Sequence, residues 1–150
     1  MAEEFIETTV DKFTFRFKRG CWYSAAGVWI EAEGNLGRVG LSDFLQQRSG
    51  DVAFVDVRPV GTALAVGDEF ASVETMKVDL ALDSPVSGAI AEVNEALKES
   101  PELVNQDPYG EGWLAVVELG NWEADRRALL DAEQYLEAMR AQALEEMGGT

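Results

Sequence analysis

Short runs of strand-forming residues, closed by glycine, asparagine or proline, recur along most of the chain. In one run aromatic and polar residues alternate strictly, and this period of two is typical of a strand with one buried face. Glycine and asparagine tolerate the positive φ of tight turns, and proline ends a strand. The runs that we interpret as strands are Phe13–Lys18, Val28–Glu33, residues 34–40, Val52–Val57 and residues 113–119. They predict a mainly β fold with a core at about residues 13–120.

A weak internal repeat lies in the middle of the chain. Residues 61–67 and 88–94 share a leading glycine, small apolar residues, a valine and a final glycine or asparagine. Such doubling is expected in a small sandwich or flattened barrel built from two similar halves, with residues 68–83 forming a hairpin between them. Two short strands in any β-rich protein could produce the same match, so chance similarity stays open.

Two short helices are predicted from their ends. Ser42 is a typical N-cap, and Gly50 is a typical stop for the helix that follows it. Ser100 is a second N-cap, with Pro101 at the first helical position.

The C-terminal segment has the signals of a longer helix. Asp131 and Gln134 have the spacing of a capping box, and Leu130 and Tyr135 have that of a hydrophobic staple. We therefore predict a helix at about residues 131–147. Its apolar face is expected to dock on the β fold and consists of Leu136, Met139, Ala143 and Met147.

The composition excludes several kinds of chemistry. The chain has 150 residues, no histidine and one cysteine. It is long enough for a single domain, residues 1–150, that needs no disulfide or metal. Without histidine it has no Ser-His-Asp triad and no histidine metal site, and one cysteine allows no internal disulfide and no CxxC pair. No metal or catalytic residue is predicted.

The charge and the N-terminal sequence limit the partners and the location. Acidic residues number 28 against 12 basic ones, so the formal net charge is −16. Nucleic acid and anionic membranes are therefore not expected as partners, because binding phosphate requires clustered lysine and arginine. The chain also has no signal-peptide pattern and no apolar run long enough to span a membrane. We expect a cytoplasmic protein.

Lys77 stands alone among acidic and apolar residues. It is the only basic residue between Arg58 and Lys98, and it falls near the centre of the predicted hairpin at 68–83. Most lysines in such a place are simply solvated. An exposed amine on a tight turn can also be acylated by a ligase, which converts it to an uncharged amide that tethers a flexible prosthetic group.

Several segments around this lysine carry a resemblance to a known family. They are residues 40–44, 50–56, 72–77, 84–97, 101–114 and 131–135, and the stretch from Asn105 to Leu114 is the most specific. In this order they resemble the glycine cleavage H-protein family over most of residues 39–137. The resemblance implies a barrel-sandwich hybrid fold of the lipoyl and biotinyl type, with short helices and a C-terminal helix.

The resemblance also implies a function. It makes the chain a non-catalytic carrier whose lipoate, amide-linked to Lys77, moves intermediates between partner enzymes. Glu74 matches the acidic residue three positions before the modified lysine, so it is the candidate for recognition by the attaching ligase, although it could merely keep the turn soluble. The implied partners are a lipoate ligase or lipoyl transferase, dihydrolipoamide dehydrogenase, and the enzymes of one pathway.

Two departures from the family pattern keep alternatives open. Biotin carriers resemble lipoyl carriers and have methionine on both sides of their lysine, whereas this chain has Met76 before Lys77 and Val78 after it. In place of the usual His-Glu-Trp segment the chain has residues 21–29 without histidine. We therefore predict, by a narrow margin, a branch that serves a heterodisulfide-reductase-like sulfur-oxidation complex, with the glycine cleavage enzymes as the alternative.

Three further interpretations of the sequence concern Cys21, the unmodified chain and catalysis. Cys21 could exchange with the thiols of the arm, although a lone cysteine is more often a core residue. The chain could be an unmodified scaffold that keeps only the fold. An enzyme in its own right has little support, because no histidine, phosphate-binding glycine loop or carboxylate pair stands out.

Overall fold

The computed structural model describes residues 4–148 of the chain, with side chains up to residue 146. The strands are β1 Phe5–Val10, β2 Phe13–Lys18, β3 Trp22–Tyr23, β4 Val28–Glu33, β5 Leu36–Leu41, β6 Val52–Val57, β7 Ala63–Leu64, β8 Glu69–Thr75, β9 Asp79–Asp83, β10 Gly88–Val93 and β11 Ala115–Leu119. The α-helices are α1 Asp43–Ser49, α2 Leu103–Gln106, α3 Trp122–Asp125 and α4 Ala132–Gly148. Two 3₁₀ turns lie at Glu95–Lys98 and Arg126–Ala128. The mainly β prediction is confirmed.

The strands form three antiparallel sheets. β1 and β2 make an N-terminal hairpin, and a six-stranded sheet has the order β3-β4-β5-β11-β10-β7. The third sheet has the order β6-β8-β9 and contains the hairpin predicted at 68–83. The turn that contains Lys77 therefore lies at one end of the three-stranded sheet.

The two segments of the weak repeat lie side by side in the structure. They contain β7 and β10, which pair antiparallel with each other in the six-stranded sheet. Backbone hydrogen bonds from Gly61 N to Ile90 O at 2.7 Å and from Ile90 N to Thr62 O at 2.9 Å extend this pairing beyond the two residues of β7. The two similar segments are therefore neighbouring strands of one sheet, and the hairpin between them belongs to the other.

Two apolar clusters form the interior. The first joins the inner faces of the six-stranded and three-stranded sheets and includes Ile30, Leu41, Phe70, Val73 and Ile90, all nearly inaccessible. The second is aromatic and packs the N-terminal hairpin against α4. Its main members are Phe15, Phe17, Tyr23, Trp29, Phe44, Tyr109 and Tyr135. The ring centroids of Tyr23 and Tyr135 lie 4.5 Å apart in a stacked pair.

The alternation in β2 predicts its buried face except at one residue. Phe15 and Phe17 are buried, but the side chain of Phe13 is 56% exposed. Phe13 lies where the chain leaves the β1–β2 turn, and its ring stacks on Phe15 at 6.3 Å between centroids. It therefore forms an outer edge of the aromatic cluster.

The two short helices differ in how well their starts are predicted. The hydroxyl of Ser42 accepts a hydrogen bond from Leu45 N at 3.2 Å, so the first N-cap is confirmed. The second short helix is present as α2, but the predicted N-cap at Ser100 is wrong, because α2 begins at Leu103 and has no side-chain cap. Ser100 and Pro101 instead form a turn, in which their carbonyls accept hydrogen bonds from Leu103 N and Val104 N.

The C-terminal helix is confirmed with its capping box. Gln134 N donates to Asp131 Oδ1 at 2.8 Å, and Asp131 N donates to Gln134 Oε1 at 3.0 Å. The docking face is rotated from the predicted one, because Tyr135 is its fully buried centre and Leu136 is only half-buried. The buried residues of this face are Ala132, Tyr135, Met139 and Ala143, and the side chain of Met147 lies outside the described residues.

Candidate functional site

Lys77 lies in the turn between β8 and β9, and Thr75 organises that turn. The hydroxyl oxygen of Thr75 accepts hydrogen bonds from Lys77 N at 3.2 Å and from Val78 N at 2.9 Å. Thr75 N donates to Val78 O at 2.8 Å and closes the turn. One threonine therefore holds the backbone on both sides of the lysine.

The turn is also fixed to the loop that joins α1 and β6. The Thr75 hydroxyl donates to Ser49 O at 2.5 Å, and Met76 N donates to Asp51 O at 2.9 Å. These bonds attach the lysine turn to backbone atoms outside its own hairpin. The lysine is thus presented on a fixed support, while its side chain stays exposed.

The aliphatic part of Lys77 crosses a glycine. Gly50 has φ +90°, and a Cβ there would lie 3.2 Å from Lys77 Cδ and 3.3 Å from Cγ. Lys77 Nζ then donates to Arg48 O, at the C-terminal end of α1, at 3.1 Å. Glycine at position 50 therefore serves two purposes, since it ends α1 and leaves room for the lysine.

Asn105 ties this support to the region behind it. Its Nδ2 donates to Gln46 Oε1 at 2.9 Å and to Gly50 O at 3.1 Å, and its Oδ1 accepts from Val52 N at 2.9 Å. The side chain therefore pairs backbone groups on both sides of Asp51, the residue that receives the bond from the lysine turn. Asn105 therefore braces the loop to which the lysine turn is bonded.

An apolar groove of about 280 Å³ begins at Lys77. Three aromatic rings, from β2 and α1, lie in its wall, and residues of α4 form one side. Its lining residues are Val10, Phe13, Phe15, Phe44, Gln47, Arg48, Lys77, Ala143 and Glu146. Arg48 lies over the Phe44 ring and forms an ion pair with Glu146. An apolar chain attached to Lys77 would find an apolar surface within reach.

Glu74 forms no hydrogen bond or ion pair with Lys77 in the part of the chain that the structure describes. It is exposed at the end of β8, where it pairs across the sheet with Phe54 of β6 and Asp79 of β9. Among the described residues 4–148, Glu74 has no ion pair, and the amine of Lys77 points instead to the end of α1. The two residues predicted for the site therefore belong to different surfaces that meet at the turn.

Cys21 lies in the aromatic cluster and not in the lysine turn. Its side chain is 2% exposed, and burial, with a smaller effect of Glu31, raises the pKa of its thiol from 9.0 to about 12 despite the opposing charge of Lys18. Because the thiolate is the nucleophile in thiol–disulfide exchange, a thiol kept neutral does not exchange readily. The structure favours the core interpretation of Cys21.

We expect a thiol reagent to label Cys21 at pH 8 at least about 100-fold more slowly in the native protein than in denaturant. The same pKa difference sets a pH dependence of stability. The unfolded thiol ionises near pH 9 and the folded one near 12, so its contribution to the free energy of unfolding is complete below pH 9 and is lost as the pH rises towards 12. Equal labelling rates in both states would contradict the burial of Cys21.

A second prediction concerns the hydroxyl that organises the lysine turn. Thr75→Val removes the bonds to Lys77 N, Val78 N and Ser49 O at nearly constant side-chain size, and we expect the free energy of unfolding to fall by about 1–3 kcal/mol. Denaturant unfolding measures this. Thr62→Val is the control, because Thr62 makes one exposed turn bond to Pro59 O at 2.7 Å. An equal loss in the two variants would show that Thr75 has no special role.

A comparison with known families decides the membership of the chain. A family model described as glycine cleavage H-protein matches residues 21–142. The chain belongs to the glycine cleavage H-protein family. The glycine cleavage system H protein of Carboxydothermus hydrogenoformans is 46% identical over 113 residues, which cover 75% of this chain and 86% of that protein. That of Symbiobacterium thermophilum is 48% identical over 113 residues, with coverages of 75% and 88%.

A solved structure of the same family supports the fold. The crystal structure of a glycine cleavage system H protein from Mycobacterium marinum matches with a TM-score of 0.69 at 31% identity, and the match covers 79% of this chain and 94% of that one. The predicted barrel-sandwich hybrid fold with a C-terminal helix is confirmed.

Membership in the H-protein family confirms two predictions. Glycine cleavage H proteins are non-catalytic carriers that serve partner enzymes, and they carry a lipoyl group on a lysine. The chain is therefore a lipoyl carrier and not an enzyme. In addition, none of the helices in the described residues 4–148 is long and apolar enough to cross a membrane.

The narrow preference for sulfur oxidation has no such support. The matching family model, the relatives named above and the matching structure all carry glycine cleavage names. These findings favour the glycine cleavage alternative over the heterodisulfide-reductase-like complex. Absence of histidine at residues 21–29 is therefore compatible with close similarity to glycine cleavage H proteins.

Proposed function

We propose that this chain, as a single domain of residues 1–150, is the carrier protein of a glycine cleavage system with lipoate amide-linked to Lys77. The observation that carries the proposal is the place of Lys77, exposed on a braced hairpin turn beside an apolar groove. It rests also on membership in a family of lipoyl carriers. The cytoplasmic location stays a prediction.

The residues around Lys77 fit a lipoyl group. The lipoyl chain is apolar, and the apolar part of the groove that begins at Lys77 consists of Val10, Phe13, Phe15, Phe44 and Ala143. Bound lipoate supplies a reversible disulfide and dithiol pair to which a transferred unit, here the aminomethyl group from glycine, is attached. The protein supplies the support: Thr75 and Asn105 hold the backbone, and Gly50 leaves space for the lysine stem.

The proposed partners follow from the carrier role. They are a lipoate ligase or lipoyl transferase that loads Lys77, the glycine cleavage enzymes that exchange the aminomethyl group, and dihydrolipoamide dehydrogenase, which reoxidises the arm. Glu74 is proposed to contact the loading enzyme, since it is exposed next to the turn. The net charge of −16 favours partners with basic surfaces and raises encounter rates more than affinity.

Reconstitution tests the pathway. The lipoylated protein, mixed with glycine decarboxylase, aminomethyltransferase and dihydrolipoamide dehydrogenase, is expected to support release of CO₂ from glycine. Unmodified protein is the control and should give background release. Failure of the lipoylated protein here, together with activity beside a heterodisulfide-reductase-like complex, would reverse the assignment.

A further inference from the structure

The outer face of the three-stranded sheet presents two rows of side chains beside the lysine turn. Phe54, Glu74 and Asp79 are directly paired across β6, β8 and β9 in the row next to the turn. Asp56, Ser72 and Ala81 form the next row. Because paired residues, and residues two apart on a strand, share a face, all six lie on the same side of the sheet. We call this set the outer face.

The inner side of the same sheet shows why this face is free. Val55 and Val73, which alternate with the outer-face residues, are buried in the core at 8% and 0% exposure. Phe54 in contrast is 54% exposed. A single exposed aromatic residue is common on protein surfaces and does not by itself indicate a binding surface. The charged residues near Phe54 on the same face make it notable.

Two carboxylates adjoin Phe54 on this face, a third lies one strand further across, and none of the three has an ion-pair partner among the described residues. Asp56, Glu74 and Asp79 are exposed, and within residues 4–148 none of them forms a salt bridge. Three like charges on one face of a sheet repel one another and gain from a basic partner. A surface with a basic rim around an apolar pocket complements this arrangement in both charge and hydrophobicity.

The position of the outer face, next to the lysine turn, indicates which enzyme binds it. Before acylation, Lys77 reaches only as far as its own four-carbon stem, so the loading enzyme must approach the turn closely. Met76 and Val78, on either side of Lys77, are 77% and 44% exposed, so the turn itself also presents apolar side chains to a partner. Enzymes that act later meet a longer arm and do not require contact at this distance.

We propose that the outer face is the docking surface of the enzyme that attaches lipoate, with Phe54 as its apolar anchor. The inference rests on the proposed function and adds Phe54, Asp56 and Asp79 to the single contact expected at Glu74. In the step that this docking serves, the Lys77 Nζ lone pair attacks the carbonyl carbon of an activated lipoyl group, an acyl adenylate. The new N–C bond forms, the C–O bond to AMP breaks with its electron pair leaving on AMP, and Nζ loses a proton to solvent.

The test measures acylation directly. Wild-type chain and variants are incubated with a purified lipoate ligase, ATP and lipoate, and intact mass gives the initial rate at several chain concentrations. Phe54→Ala is expected to lower kcat/KM at least about tenfold, as loss of an interface anchor does. The double variant Asp56→Asn with Asp79→Asn is expected to lower it at least threefold and to weaken its decrease with added salt.

Two variants serve as matched controls. Val66 is also 54% exposed, but it lies in the turn before β8, at the opposite end of that strand from Lys77, so Val66→Ala should leave kcat/KM within twofold. Glu92 is an exposed acid of the six-stranded sheet, so Glu92→Gln should do the same. Unfolding midpoints of all variants show that each is folded, and the charge variant tests the face independently of the ring.

The outcomes separate this inference from the proposed function. Acylation of Phe54→Ala and of the double variant at the wild-type rate would overturn the docking surface alone. It would also be overturned if Phe54→Ala were acylated normally but, once lipoylated, failed in reconstituted glycine cleavage, since the face would then belong to a later enzyme. No acylation of wild-type chain at Lys77 would overturn the proposed function itself.

Discussion

Replacing Lys77 by arginine is expected to reduce glycine-dependent CO₂ release in the reconstituted system to background, a loss of at least about 100-fold. The guanidinium group keeps the positive charge but remains protonated at all accessible pH values, so it forms no amide with lipoate. The fold should be unaffected, because the Lys77 side chain is exposed and its Nζ makes a single hydrogen bond, to Arg48 O. Assays of both proteins after identical expression in a lipoylation-competent host measure the effect.

The matched control is a lysine outside the turn. Lys98 is exposed and pairs with Glu95 at 2.6 Å, so Lys98→Arg preserves its charge and should retain full activity. Activity of Lys77→Arg above a tenth of the wild-type level would argue for an unmodified scaffold, in which the lysine has no chemical role. Loss of activity in both variants would point to a general effect of lysine replacement.

The second large effect is expected at Asn105. Asn105→Ala removes the hydrogen bonds to Gly50 O, Val52 N and Gln46 Oε1, and we expect the free energy of unfolding to fall by about 2–4 kcal/mol. Since those backbone groups support the lysine turn, acylation of Lys77 should also slow. Denaturant unfolding and the ligase assay measure the two effects on the same samples.

Comparison with a second asparagine isolates the role of position 105. Asn121 is exposed and makes no capping bond, so Asn121→Ala should change the free energy of unfolding by less than about 0.5 kcal/mol. A small loss of stability in Asn105→Ala, similar to that of Asn121→Ala, would contradict the supporting network. Normal acylation of a strongly destabilised variant would limit Asn105 to a structural role.

Local signals predicted most of the individual elements. Alternation in Phe13–Lys18, the turn residues after Val28–Glu33 and the capping box at Asp131 each act over a few residues, and each element is present where expected. The strand β1 was not predicted, because no turn signal marks its start. The predicted N-cap at Ser100 was wrong for a related reason, because a serine followed by a proline also suits the turn that forms there.

Long-range contacts account for what the sequence did not predict. Asn105 contacts residues more than 50 positions away, and the room that Gly50 leaves for Lys77 depends on how the lysine turn packs on α1. The groove likewise combines β2, α1 and α4. Lys77 itself could be selected from the sequence because its isolation among acids is local, whereas Phe54 became notable only through strand register.

Peptide-level mass spectrometry of the wild-type chain, expressed in a lipoylation-competent host, tests the central claim most directly. We expect one lipoyl group in amide linkage on Lys77, with Lys12, Lys18 and Lys98 unmodified. An unmodified Lys77, a biotinyl group in its place, or a lipoyl group on another lysine would contradict it.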